Sequence, residues 1–251
     1  MARTPPTAHQ QLIERLRELL VEEPVTREVS MFGGRCFMVS AKIAGRLADA
    51  VGRALAAAAR AADRGLVALG LAPPPLDLPP EVRDDLDGFF AGTIDPAPVV
   101  IRRGHVAGIP HPRAFALPGL IYLGADPGIV VTAGPGHARP RATPLLVHEL
   151  AHIWQHRYLG PRYVLRALGE QIRLGRRAHH WRAALDRSPR RPAGALPVEA
   201  HAQLVSEAYA AGHGFAPAAA LSGRDGHERG VDEVLTGLRA GDASTLRGRT
   251  V

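Results

Sequence analysis

Thr143-Pro144-Leu145-Leu146-Val147-His148-Glu149-Leu150-Ala151-His152-Ile153-Trp154-Gln155-His156 reads as one helix around which the rest of the chain is arranged. Proline suits the first helical position, where its missing N–H would be unpaired anyway, and a threonine just before it can cap the free amides with its hydroxyl. The residues therefore predict a helix beginning at Pro144. His148 and His152 lie four apart, so at ~100° per residue both imidazoles share one face, a turn from each other and within reach of one ion. In the His-Glu-x-x-His arrangement the two histidines bind zinc, and the glutamate, here Glu149, takes a proton from the metal-bound water without binding the metal itself. Leu145, Leu146, Val147, Leu150, Ala151, Ile153 and Trp154 make the helix apolar over most of its circumference. Such a helix is buried, and buried His and Glu need partners or a metal.

A catalytic zinc has three protein ligands and a water in its usual form. His156 is a poor third ligand, because a straight helix separates it from His148 by a rise of ~12 Å. Nitrogens bound to one zinc at ~2.0–2.1 Å sit only a few Å apart. The helix expected from Pro197 to Ala211 offers Glu199 and His201, which point ~200° from each other, so only one of them can face the motif helix. Glu199 is the expected ligand, completing a His₂Glu set. The oxyanion donor stays open among Tyr209, His213 and His180.

Outward from this helix, the 251 residues are 46% hydrophobic and only 5% aromatic, so the core must be built mostly from Ala, Leu and Val. Cys36 is the only cysteine, which excludes an internal disulfide and a cysteine-rich zinc finger. The net charge is +7, the pI is near 10.6, and every basic residue except Lys42 is arginine. Such a surface attracts acidic partners and nucleic acid nonspecifically, but no nucleic-acid-binding motif accompanies the charge, so nucleic acid is not favoured as a partner. Arg173 to Pro192 holds seven arginines and is the segment expected to meet an acidic partner. No apolar run approaches the ~18 residues of a membrane span, and no signal-type apolar core is present. A cytoplasmic location is the default expectation, with signal-independent export open.

The expected organisation is an amino-terminal helix-hairpin-helix region over 1–70, a proline-rich linker over 71–80, an α+β domain over 81–245 and a frayed tail over 246–251. Leu12, Ile13, Leu16, Leu19 and Leu20 give Gln10 to Glu23 a helical face. Glu28 to Val39 reads as strand, Gly33-Gly34 turn, strand. Ala41 to Leu71 reads as one helix or two, with Gly45, Gly52 and Gly65 as weak points. Short strands are expected at Val99–Ile101, Ala114–Leu117, Leu120–Leu123 and Ile129–Thr132, with Gly134 to Ala142 a loop. Helices follow at Tyr163–Leu174, with Val164, Leu165, Leu168 and Ile172 on one side, and at Val231–Ala240.

Residues 10–44 resemble the opening of the amino-terminal domain of TfoX-like regulators, through the Met31-Phe32-Gly33-Gly34 hairpin. Residues 95–212 resemble the metallopeptidase domain called the extracellular contractile injection system core domain, with its zincin-like relatives. That likeness rests on Leu120-Ile121-Tyr122-Leu123, Leu145 to Gln155, Gly160-Pro161-Arg162-Tyr163 and Pro197 to Ala202. It implies a gluzincin-type fold, with an active-site helix packed on a small antiparallel or mixed sheet, and it matches Glu199 to the downstream glutamate ligand. Relatives are linked to secretion-system and toxin contexts, and commonly carry Gln or another polar residue where His201 stands.

The resulting expectation is a zinc-dependent hydrolase acting on a peptide or protein substrate, with His148, His152 and Glu199 on Zn²⁺ and Glu149 as general base. An upstream strand, Ile129 to Thr132, could pair with an extended substrate. The rivals are a catalytically idle zinc scaffold or secretion-system cargo module, and a basic nucleic-acid-binding regulator.

Overall fold

The structure, a computed structural model, describes residues 15, 27–31, 34–38, 41–105, 114–134, 137–186, 196–212, 227–243 and 246. Two units are distinguished within the chain, Met1–Ala48 with Val251, and Asp49–Thr250. In the first, β1 (Arg27–Met31) pairs antiparallel with β2 (Gly34–Met38), Met31 opposite Gly34, so two strands pair as expected but Gly34 belongs to the second strand and not to the turn. Of the helix expected over Gln10–Glu23, Arg15 alone is described and is helical; the rest lies outside the described residues. Helix α1 (Ala41–Ala68) begins in this unit and runs without interruption into the second.

Residues 71–80 belong to the second unit and line a sheet edge, where a linker was expected. Proline lacks only the amide donor, and its carbonyl still accepts. Arg102 Nη1 donates to Pro73 O (3.0 Å) and Arg103 N to Pro74 O (3.2 Å), while Leu76 N donates to Ile101 O (2.7 Å) and Leu78 is buried. The extended backbone that stacked prolines favour is thus used as an edge.

The sheet beside it is mixed. Strand β3 (Val100–Arg102) runs parallel to β5 (Leu120–Tyr122), and β4 (Phe115–Leu117) pairs antiparallel with the other side of β5, giving the order β3-β5-β4. Residues Leu120 to Tyr122 are all buried, as the apolar run predicts for a central strand. Strand β6 (Ile129–Gly134) pairs with β7 (His137–Ala142), so the expected loop over 134–142 is half of a hairpin. Its Pro140 and two arginines disguise it, although an edge strand of a two-stranded ribbon tolerates both.

Helix α2 (Pro80–Phe90) turns Val82, Leu86, Phe89 and Phe90 into the core and ends where Ala91 adopts the left-handed conformation. Helix α3 (Pro144–Leu159) carries the motif, followed by α4 (Tyr163–Leu174), a 3₁₀ turn (Gly175–His179), α5 (Trp181–Asp186), α6 (Val198–Ala210) and α7 (Glu228–Ala240). Trp154 is fully buried and donates from Nε1 to Leu238 O (3.0 Å), tying α3 to α7. The fold is mixed α+β, and no described helix is long and apolar enough to cross a membrane.

On α4, Leu168 (49% exposed) and Ile172 (78%) are turned outward, and Tyr163 is its buried residue. One further expectation is corrected. Leu246 is buried and its carbonyl accepts from Arg166 Nη1 (3.0 Å), so the frayed tail does not begin there; residues 247–251 lie outside the described residues.

Candidate metal centre

The motif helix starts where its punctuation places it. Thr143 Oγ1 accepts from Leu146 N (3.2 Å) and donates to Asp126 Oδ1 (2.6 Å), so the cap is itself anchored to the loop before β6. With the start fixed, His148, Glu149 and His152 all fall on the buried side of α3, facing α6. Glu199, in the first turn of α6, meets them: its Oε2 lies 3.6 Å from His148 Nε2 and 3.6 Å from His152 Nε2.

Glu199 and His152 are held from behind. Gln171 Nε2 on α4 donates to Glu199 Oε1 (2.8 Å), leaving Oε2 for the histidines. The neighbouring Glu170 accepts from Val198 N (2.7 Å), satisfying one of the free amides at the start of α6. Gln155 Oε1 lies 2.8 Å from His152 Nδ1, and Gln155 Nε2 donates to Val198 O (2.8 Å) and to His201 Nδ1 (3.1 Å). His201, stacked on Trp154, therefore sits behind the centre, where the angular argument from the sequence leaves it. His156 is also absent from the cluster, its ring 5.7 Å from that of Tyr163.

A residue that the sequence reading missed completes the arrangement. His179, the last residue of the 3₁₀ turn, places Nε2 3.2 Å from Glu199 Oε2, and its ring lies nearly parallel to that of His148 at 5.8 Å. Of the three side chains considered for the oxyanion, His180 is exposed, Tyr209 donates its hydroxyl to Asp85, and His213 lies outside the described residues. The histidine signal was thus read one residue too late, at His180.

Electrostatics follow from burial and this crowding. Burial pulls His148 down to about 4, against the attraction of Glu199. For His152 burial also opposes charge, but Glu199 and Glu149 outweigh it and push the ring up to about 9. Burial raises Glu199 as well, yet the three imidazoles overcome it and hold the carboxylate well below its usual range. For Glu149 burial outweighs the attraction of His152 and lifts the carboxyl to about 7.

The donor set fits a zinc-type ion. Imidazole nitrogens and carboxylate oxygens converge with no thiolate, a composition suited to zinc. Glu149 Oε2 is buried with no hydrogen-bond partner among the described residues, an unfavourable state for a carboxylate that has nothing to act on. These residues open onto a cavity of about 670 Å³, whose far wall is the β4 side of the sheet at Phe115 and Ala116.

Comparison with known protein families, with curated proteins and with solved structures finds no match.

Proposed function

We propose that the second unit is a zinc-dependent hydrolase that cleaves peptide bonds. The observation that carries this reading is the buried, unpartnered Glu149 Oε2 beside a centre where His148, His152 and Glu199 converge. Glu149 is then the general base, and His148, His152 and Glu199 would hold the ion. Bound Zn²⁺ supplies an acidified water and polarises the carbonyl under attack.

The chain's own residues account for the rest. Burial keeps Glu149 near neutrality, the range in which a carboxylate both accepts a proton and returns it. It takes the proton of the attacking water and passes it to the leaving amine. Gln171 and Gln155 hold Glu199 and His152 in place, so these side chains need no reorganisation as the reaction proceeds. The cavity gives an extended chain room beside the centre. Its strand wall is β4, an outer strand of the three-stranded sheet among the described residues. Tyr163 Oη donates to Ala116 O (3.1 Å) and steadies that edge. An extended substrate pairing with β4 would present its carbonyls to the centre.

The test is zinc content together with hydrolysis of a broad peptide library by the wild type and Glu149→Gln. Stoichiometric zinc in both, with cleavage by the wild type alone, is the expected result. Purified wild type that takes up no zinc sinks the reading.

A further inference from the structure

A fourth side chain, one more than a catalytic zinc requires, reaches Glu199 beside the two motif histidines. His148 Nε2, His152 Nε2 and His179 Nε2 lie 3.6, 3.6 and 3.2 Å from Glu199 Oε2. We propose that His179 is a fourth protein ligand, so that in this conformation the protein itself closes the metal site, which opens to water when the Gly175–His179 turn releases the ring. This rests on the zinc site proposed above.

The geometry supports it at two levels. Atoms sharing a tetrahedral ion at bonds of ~2.0–2.1 Å are ~3.3 Å apart, and the His179 contact matches that edge as well as the two motif histidines do. One ligand atom from each of His148, His179 and Glu199 lies within 4.8 Å of the other two, a group that includes His179 and leaves out His152. An imidazole bound through Nε2 has its centroid ~3.2 Å from the ion, so two rings sharing it at open angles are ~5–6 Å apart. The His148–His152 and His148–His179 centroids are 4.9 and 5.8 Å apart.

His179 is also the member suited to leave. Its side chain is 31% exposed, against 9% for His148, 8% for His152 and 3% for Glu199. The other three stand on long helices, whereas His179 stands at the end of a five-residue 3₁₀ turn, whose hydrogen bonds are intrinsically poorer than those of an α-helix. Four protein ligands make the closed type of zinc site, and three with a water make the catalytic type. Exchange of His179 for water converts one into the other, and gives the hydrolase a latent state set by a surface turn.

Side-chain ¹⁵N spectra of the histidines in the full chain, zinc-free and with one equivalent of zinc, test this. His179→Ala and His180→Ala assign the signals of the adjacent pair. Shifted Nε2 resonances for His148, His152 and His179, with His180 unmoved, are expected. Shifts at His148 and His152 while His179 stays at its zinc-free position overturn the proposal and leave the zinc site standing. If no histidine responds to zinc, the zinc site and this inference fall together.

Discussion

Gln155 accepts a hydrogen bond from His152 Nδ1 at 2.8 Å, and its direction is dictated by the other end of the amide. Gln155 Nε2 faces Val198 O, which can only accept, so the amide cannot be flipped without setting two carbonyl oxygens against each other. His152 Nδ1 must therefore carry a proton, and the proton that a cation displaces is the one on Nε2. Removing the amide frees the tautomer. Gln155→Met, similar in volume, is expected to weaken zinc binding roughly 10–100-fold. Competition against a chelator of known affinity measures this, and an unchanged affinity would show that the ring orients itself without Gln155.

Glu149 and His148 should separate binding from chemistry. Glu149→Gln is expected to retain stoichiometric zinc with hydrolysis lost, and His148→Ala to lose the metal, as read by metal analysis of the purified variants. The same glutamate predicts a pH effect in the zinc-free protein. Its carboxyl is raised from 4.5 to about 7 in the folded state, so its contribution is fully present below pH 4.5 and is lost as pH rises through 7. The unfolded chain releases that proton more readily, which favours unfolding at high pH. Chelator-treated Glu149→Gln should therefore gain stability over chelator-treated wild type, on the order of 1–3 kcal/mol at pH 8, with the gap closing towards pH 4. Denaturant titrations at the two pH values check it.

Asp63 ties α1 to the sheet through a buried ion pair. Its carboxylate accepts from Arg102 Nε (2.6 Å) and Nη2 (2.9 Å) and from Tyr122 Oη (2.6 Å). Asp63→Asn removes the countercharge of Arg102 and leaves the charged guanidinium buried, an arrangement that costs about 3–5 kcal/mol. The Arg102 hydrogen bonds lower the Asp63 carboxyl below its ordinary 3.8. Its stabilising effect is thus present above that value and disappears as pH falls through the lowered one. Urea unfolding should show a wild-type acid limb below pH 3.8 that is flattened in Asp63→Asn.

The motif helix was legible because its information is local. Thr143 and Pro144 mark its start, and the two histidines repeat at the helical period on one continuous element. The angle between Glu199 and His201 allowed only one of them to face the motif helix, and the His₂Glu set chose Glu199. His179 had no such signature, since the bend at Gly175 breaks the periodicity before it and nothing in the sequence states how the turn is aimed. The proline stretch from Leu71 to Pro80 misled for a related reason. Proline content reports the missing donors, whereas what seats this segment is its carbonyls, at Pro73 and Pro74, meeting Arg102 and Arg103.

Gly52 and Gly65 read alike in the sequence, as weak points of α1, yet the structure predicts opposite outcomes for them. In a helix interior glycine costs ~0.8–1.0 kcal/mol relative to alanine, so replacement should stabilise wherever a methyl group fits. At Gly65 nothing lies within 4 Å of an added Cβ. Gly65→Ala should raise stability by about 0.5–1 kcal/mol. At Gly52 the added Cβ would lie 2.1 Å from Pro161 O, a backbone atom in the connection between α3 and α4 that no side-chain rotation can move aside. The helix must shift or that connection must yield. Overpacking of this kind costs ~1–3 kcal/mol, more than the propensity gain returns. Gly52→Ala should therefore lower the denaturation midpoint while Gly65→Ala raises it, and a gain in both would mean that α1 does not approach Pro161 in solution.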